Sequence, residues 1–170
     1  MAFPEWGLPV HWIQALIGSS GAMVEASRRQ PSSVVCPLPQ GLALMPLTDR
    51  LLADLYEQVS GAEAAVLPHS GEIPEGVVEL ASSLSHGGPI AYVATYIHGG
   101  TGGQDALIWI DGRVVLNIGD DEDNMSKWPD SPISRALRHI GVSSETEQDE
   151  FDALGLGLYR STEAWADSAP

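Results

Sequence analysis

The chain has 170 residues, 44% of them apolar, and carries 23 acidic against 8 basic side chains for a net charge of −15 at pH 7. That composition fits one globular domain long enough to bury a core, and makes order rather than disorder the expectation. No apolar run reaches the ~20 residues of a membrane-spanning helix, and the charge argues against nucleic acid and anionic membrane as partners while favouring cationic ones.

The N-terminus, MAFPEWGLPVHW, has neither a basic region nor a clean apolar stretch, so no signal peptide is expected. The lone Cys36 cannot form an internal disulfide and reads as a small buried hydrophobe, as suits a cytoplasmic protein. Residues 1–30 read as a helical arm packed on a single α+β domain at 31–170. Within the arm, Val10, Ile13, Leu16 and Ile17 share a face at helical spacing, GSSG at 18–21 ends that helix, and a short turn follows at 22–29. Trp6 and Trp12 anchor the arm or make an oligomer contact.

PSSVVCPLP at 31–39 is proline-punctuated and fits an extended edge segment. A strand is expected near 41–46, then a helix capped by Thr48, striped by Leu51, Leu52, Leu55 and Val59 and closed at Gly61. Residues 62–72 read as a loop, and a second helix opens at Pro74 and runs to about Ser85. The most regular stretch is 89–118: apolar runs at 89–97, 105–110 and 113–118, separated by HGGTGGQ and by the Asp111-Gly112 pair that marks a type I′ hairpin. This is an antiparallel meander. Beyond it, Ser131 caps a helix with Ile133, Ala136, Leu137 and Ile140 on its apolar face. A short helix at 147–154, an extended GLGLYR and a last turn capped by Ser161 or Thr162 complete the chain. The expected fold is α+β, a meander at about 89–118 plus the strand near 41–46, with helices on one face.

No familiar catalytic constellation emerges. HGGTGGQ lacks the lysine of a P-loop and leads into a strand rather than a helix. The five histidines show no zinc spacing, and DDEDNMSKWPDS has neither the glycine nor the terminal glutamate of a calcium loop. No cofactor or metal is implied. From Asp120 onward there are twelve acids against four bases. Two acidic patches bracket the 131–140 helix, with Trp128 beside the first and Phe151 within the second. Both aromatics are open to a core or a partner-anchoring role. The candidate partner-binding set is Asp120, Asp121, Glu122, Asp123, Trp128, Glu147, Asp149, Glu150 and Asp152: acids to steer a basic protein, an aromatic to hold it. The alternative is a small enzyme or ligand pocket at HGGTGGQ using Tyr96, His98 and Thr101.

GGPIAYVATYIHGG, WIDGRVV, ISRALRHIGV and DEFDALGLGLYRSTEAW follow one another in an order that resembles a family of small bacterial proteins, over 87–166. That resemblance supplies no reaction and no catalytic residue. In size, acidity and build the chain is also similar to immunity proteins of bacterial toxin systems. The similarity implies a cytoplasmic, non-enzymatic inhibitor that binds a cognate toxin, such as a nuclease or another enzyme with a basic cleft.

Overall fold

The computed structural model describes residues 10–59, 65–67, 71–98, 101–120 and 125–170. Its elements are strands β1 (Val10–Ser19), β2 (Cys36–Pro37), β3 (Leu42–Pro46), β4 (Ala65–Leu67), β5 (Gly71–Ile73), β6 (Ile90–His98), β7 (Thr101–Ile110) and β8 (Arg113–Gly119). The helices are α1 (Ser20–Arg29), α2 (Asp49–Glu57), α3 (Glu75–Leu84), α4 (Pro132–His139), α5 (Glu150–Ala153) and α6 (Thr162–Asp167). Six strands form one antiparallel sheet in the order β2-β3-β1-β6-β7-β8, and β4–β5 is a separate hairpin.

The expected meander is β6–β7–β8, and the α+β class is as expected. The segment expected to be a helical arm is instead β1, an inner strand paired with β3 on one side and β6 on the other. Ala15, Leu16 and Ile17 are all fully buried, because helices cover both sheet faces. A strand buried on both faces loses its two-residue alternation, and periodicity then cannot tell it from a buried helix.

Covering on one face is likewise corrected to covering on both. Leu16, Tyr92, Leu107 and Trp109 meet α1, α2 and α3 through Met23, Leu51, Leu55, Val77 and Ala81. Ile13, Ile17, Val93 and Ile108 meet Ile133, Ala136 and Leu137 of α4, with Leu154 and Trp165 from the C-terminal segment. Each large apolar side chain buried in these layers contributes roughly 1.5–3 kcal/mol.

The turns follow local chemistry. Asp111 (φ 50°) and Gly112 (φ 77°) make the β7–β8 turn, held by Ser85, whose carbonyl accepts from the Asp111 amide and whose hydroxyl accepts from the Gly112 amide. HGGTGGQ is not a wide loop: β7 already begins at Thr101, so Gly102, Gly103 and Gln104 pair with Ile97, Tyr96 and Thr95. A Cβ at Gly102 (φ 126°) would stand 1.6 Å from the Tyr96 carbonyl oxygen, so close backbone approach explains that glycine.

Thr48 and Ser161 cap α2 and α6 as expected, through the amides of Leu51 and Ala164. Helix α2 ends at Glu57, short of Gly61, which lies outside the described residues. The expected loop at 62–72 contains the strands β4 and β5. GLGLYR is largely a run of turns rather than extended. Leu156 packs into the core layer on the sheet, and the segment's end joins β1: β3 stops pairing with β1 at Ala15, and there the Arg160 carbonyl accepts from the Trp12 amide and the Thr162 hydroxyl from the Gln14 amide. The C-terminal segment thus completes the side of β1 that β3 leaves open.

Candidate partner-docking site

The acidic run after β8 divides sharply. Asp120 is 2% exposed; one carboxylate oxygen accepts from the Gln104 amide at 3.1 Å and the other from the Ser126 amide at 2.9 Å. Its own amide donates to the Gln104 carbonyl. Gln104 continues this brace, since its side-chain oxygen accepts from the Ile133 amide at 3.1 Å. Ser131, at the cap position of α4, makes no side-chain cap bond, so Gln104 satisfies that first-turn donor instead. Asp120 is therefore a strut between β7 and the connection to α4, not a surface acid, and its expected role as a partner contact is corrected. Asp121, Glu122 and Asp123 lie outside the described residues.

Glu150 is also buried, 3% exposed at the start of α5. It accepts from Trp128 Nε1 at 2.9 Å, from Arg138 Nη1 at 3.2 Å and 3.3 Å, and from the Ser144 hydroxyl at 3.4 Å. Arg138 Nη2 also donates to the Pro129 carbonyl, so one guanidinium ties α4 to both the Trp128 loop and α5. Burial alone would push the Glu150 carboxyl up, but the hydrogen bonds from Trp128 and Arg138 outweigh it and hold the carboxyl below its usual range. Glu150 is thus also corrected from a surface acid to an internal one.

Trp128 itself stays at the surface. It is 52% exposed with its indole N–H committed to Glu150, and Met125 on the same loop is exposed too. Lys127, Asp130, Glu145, Glu147 and Asp152 are exposed around this loop and the α4–α5 connection. Asp149 is half-buried and caps α5 by accepting from the Asp152 amide at 2.8 Å. Asp152 has its carboxyl pushed up, first by burial and then by the Asp149 charge. Phe151 turns the other way: it is half-buried and packs on the His11 ring at 5.5 Å. Of the nine expected residues, Trp128, Glu147 and Asp152 are exposed and Asp149 is half-buried, whereas Asp120 and Glu150 are buried.

Sequence reasoning missed the supports, Arg138, Ser144 and Gln104. Arg138 falls outside the apolar stripe of α4, as a solvated arginine would, and nothing in its spacing names Glu150 as its partner.

In the alternative loop, the Thr101 hydroxyl donates to the His98 carbonyl at 2.9 Å and the Tyr96 hydroxyl accepts from Gln14 at 3.1 Å. A groove of about 550 Å³ lies elsewhere, among α1, α2 and α3, lined in part by Arg29, Gln58, Glu79 and His86. Among the described residues, no three metal-ligating side chains converge, and no helix is long and apolar enough to cross a membrane. Compared with protein-family models, curated proteins and solved structures, the chain matches none.

Proposed function

We propose that this chain is an immunity-type binding protein that neutralises a cognate toxin with a basic surface, docking it on the Trp128 face. One observation carries the reading: Trp128 is half exposed yet fixed by a buried carboxylate that is itself clamped by Arg138. A large aromatic side chain left in water gains little by rigidity unless something covers it. Pre-ordering an anchor lowers the entropy lost on association, and aromatic anchors dominate interface energetics. The net charge of −15 supports a basic partner, because a field of one sign speeds encounter and penalises wrong partners.

The test is to express the tagged chain in its native host and ask whether it co-purifies with a basic protein whose toxic activity it suppresses. Trp128→Ala should weaken that complex by at least about tenfold, as loss of a central aromatic anchor does. Raising the salt concentration should slow association. A complex indifferent to both changes would overturn the proposal.

A further inference from the structure

The chemistry of the anchor narrows what it can receive. Trp128 has a single hydrogen-bonding group, the indole N–H, and that donor is already spent on Glu150 Oε2 at 2.9 Å. What remains available on a side chain that is 52% exposed is the aromatic ring system. The ring face carries negative electrostatic potential and attracts cations.

Its surroundings point the same way. Along the chain, Asp130 follows Trp128 by two residues and Asp149 and Asp152 stand within two residues of Glu150, the carboxylate that holds the indole; Asp130, Glu145, Glu147 and Asp152 are all exposed. The cation built into the cluster is not available to cover the ring from within, since Arg138 is committed to Glu150 and to the Pro129 carbonyl. Lys127, exposed next to Trp128, leaves the local balance negative.

We infer that Trp128 receives an arginine side chain of the partner protein, its guanidinium stacked over the indole face with the neighbouring carboxylates accepting from its edge. Arginine fits better than lysine because its planar, weakly hydrated fork can stack and donate sideways at once. The inference rests on the reading of Trp128 as the docking anchor and adds the identity of the group it binds.

The experiment replaces Trp128 site-specifically with tryptophans bearing one to four ring fluorines. These keep the shape and apolar character of the indole while draining charge from its face. The probe is an acetylated hexa-arginine peptide, with hexa-citrulline as its neutral isostere, titrated calorimetrically against the full chain. Affinity for hexa-arginine should fall stepwise along the series, reaching about tenfold for the fully fluorinated ring. The same substitutions at Trp12, which is 55% exposed, should leave it unchanged. Hexa-citrulline should not bind, and circular dichroism confirms that each variant is folded. An affinity that ignores fluorination at position 128 overturns the inference, as does an equal response at Trp12. The two readings fail separately: a native complex lost with Trp128→Ala but blind to fluorination keeps the docking role and removes the arginine.

Discussion

Removing the Glu150 carboxylate should unfasten the proposed docking surface from below. In Glu150→Ala, Trp128 Nε1 loses its acceptor, Arg138 keeps only the Pro129 carbonyl, and the Ser144 hydroxyl loses a long contact of 3.4 Å. A hydrogen bond to a charged group contributes about 1.5–3 kcal/mol. The Arg138 share needs discounting, because its side chain is 36% exposed and recovers water when the pair breaks. Together these losses come to about 2–4 kcal/mol. For a domain of this size that lowers the melting temperature by about 5–12 °C. Glu150→Gln keeps an acceptor for the indole but gives up the charge, and should cost about 1–2 kcal/mol. Thermal melts followed by circular dichroism measure both. If both variants melted within about 2 °C of the parent, the cluster would be an ordinary surface contact and the anchor would lack its support. Partner binding should also weaken in Glu150→Ala, although a residue 3% exposed cannot itself touch a partner.

The same carboxylate predicts an acid limb. Its folded pKa lies below its ordinary value, so at moderately acidic pH the unfolded chain takes up a proton that the folded chain refuses. The stability it contributes is therefore present above the unfolded value of about 4.3 and is lost as pH falls through the depressed folded value. In Glu150→Gln that part of the acid slope should vanish.

Asp120 and His11 each carry a further expectation. Asp120→Ala takes a buried acceptor from the Gln104 and Ser126 amides, in two part-buried hydrogen bonds, and should cost about 1–3 kcal/mol in a denaturant titration, against about ±0.5 kcal/mol for an ordinary surface acid such as Glu57. His11 is depressed below its ordinary value, chiefly by burial, with the Arg160 charge adding to the effect and the Leu156 carbonyl, which favours the protonated ring, opposing it. The folded chain thus holds it neutral while the unfolded chain protonates it at about 6.5, so stability should decline as pH drops below about 6.5 until the folded value is passed. His11→Gln should flatten that decline, and an unchanged slope between pH 7 and 5 would contradict it.

The meander was legible because its signals are local: Asp111-Gly112 between β-rich runs leaves few alternatives. Caps were legible for the same reason, at Thr48 and Ser161. What could not be read were decisions taken across the fold. Nothing in HWIQALIG says that both flanks will be occupied, and occupancy of both flanks is what makes it a strand. Ser131 has every local qualification for a cap, yet the first-turn amide of α4 is satisfied by Gln104, which lies 29 residues away in sequence. In the candidate site the exposed aromatic beside acids was legible at Trp128, whereas the fate of each acid was not. Asp120 and Glu150 are chemically indistinguishable from their neighbours in the sequence and differ only in which donors the fold brings to them.

That difference assigns two jobs to one kind of side chain. A carboxylate with two or three fixed donors is worth several kcal/mol to the fold, as at Asp120 with its two amides, and one paired with a cation, as Glu150 is with Arg138, contributes little steering as well. An unanswered carboxylate such as Glu147 contributes almost nothing to stability and its full charge to the external field. Neutralising surface acids should therefore alter association rate and salt dependence while leaving the melting temperature alone. Neutralising Glu150 should do the reverse, touching association only through the orientation of Trp128. The protein's acidity is thus not one property. Its interior share braces the fold, and its exterior share sets the field that surrounds it.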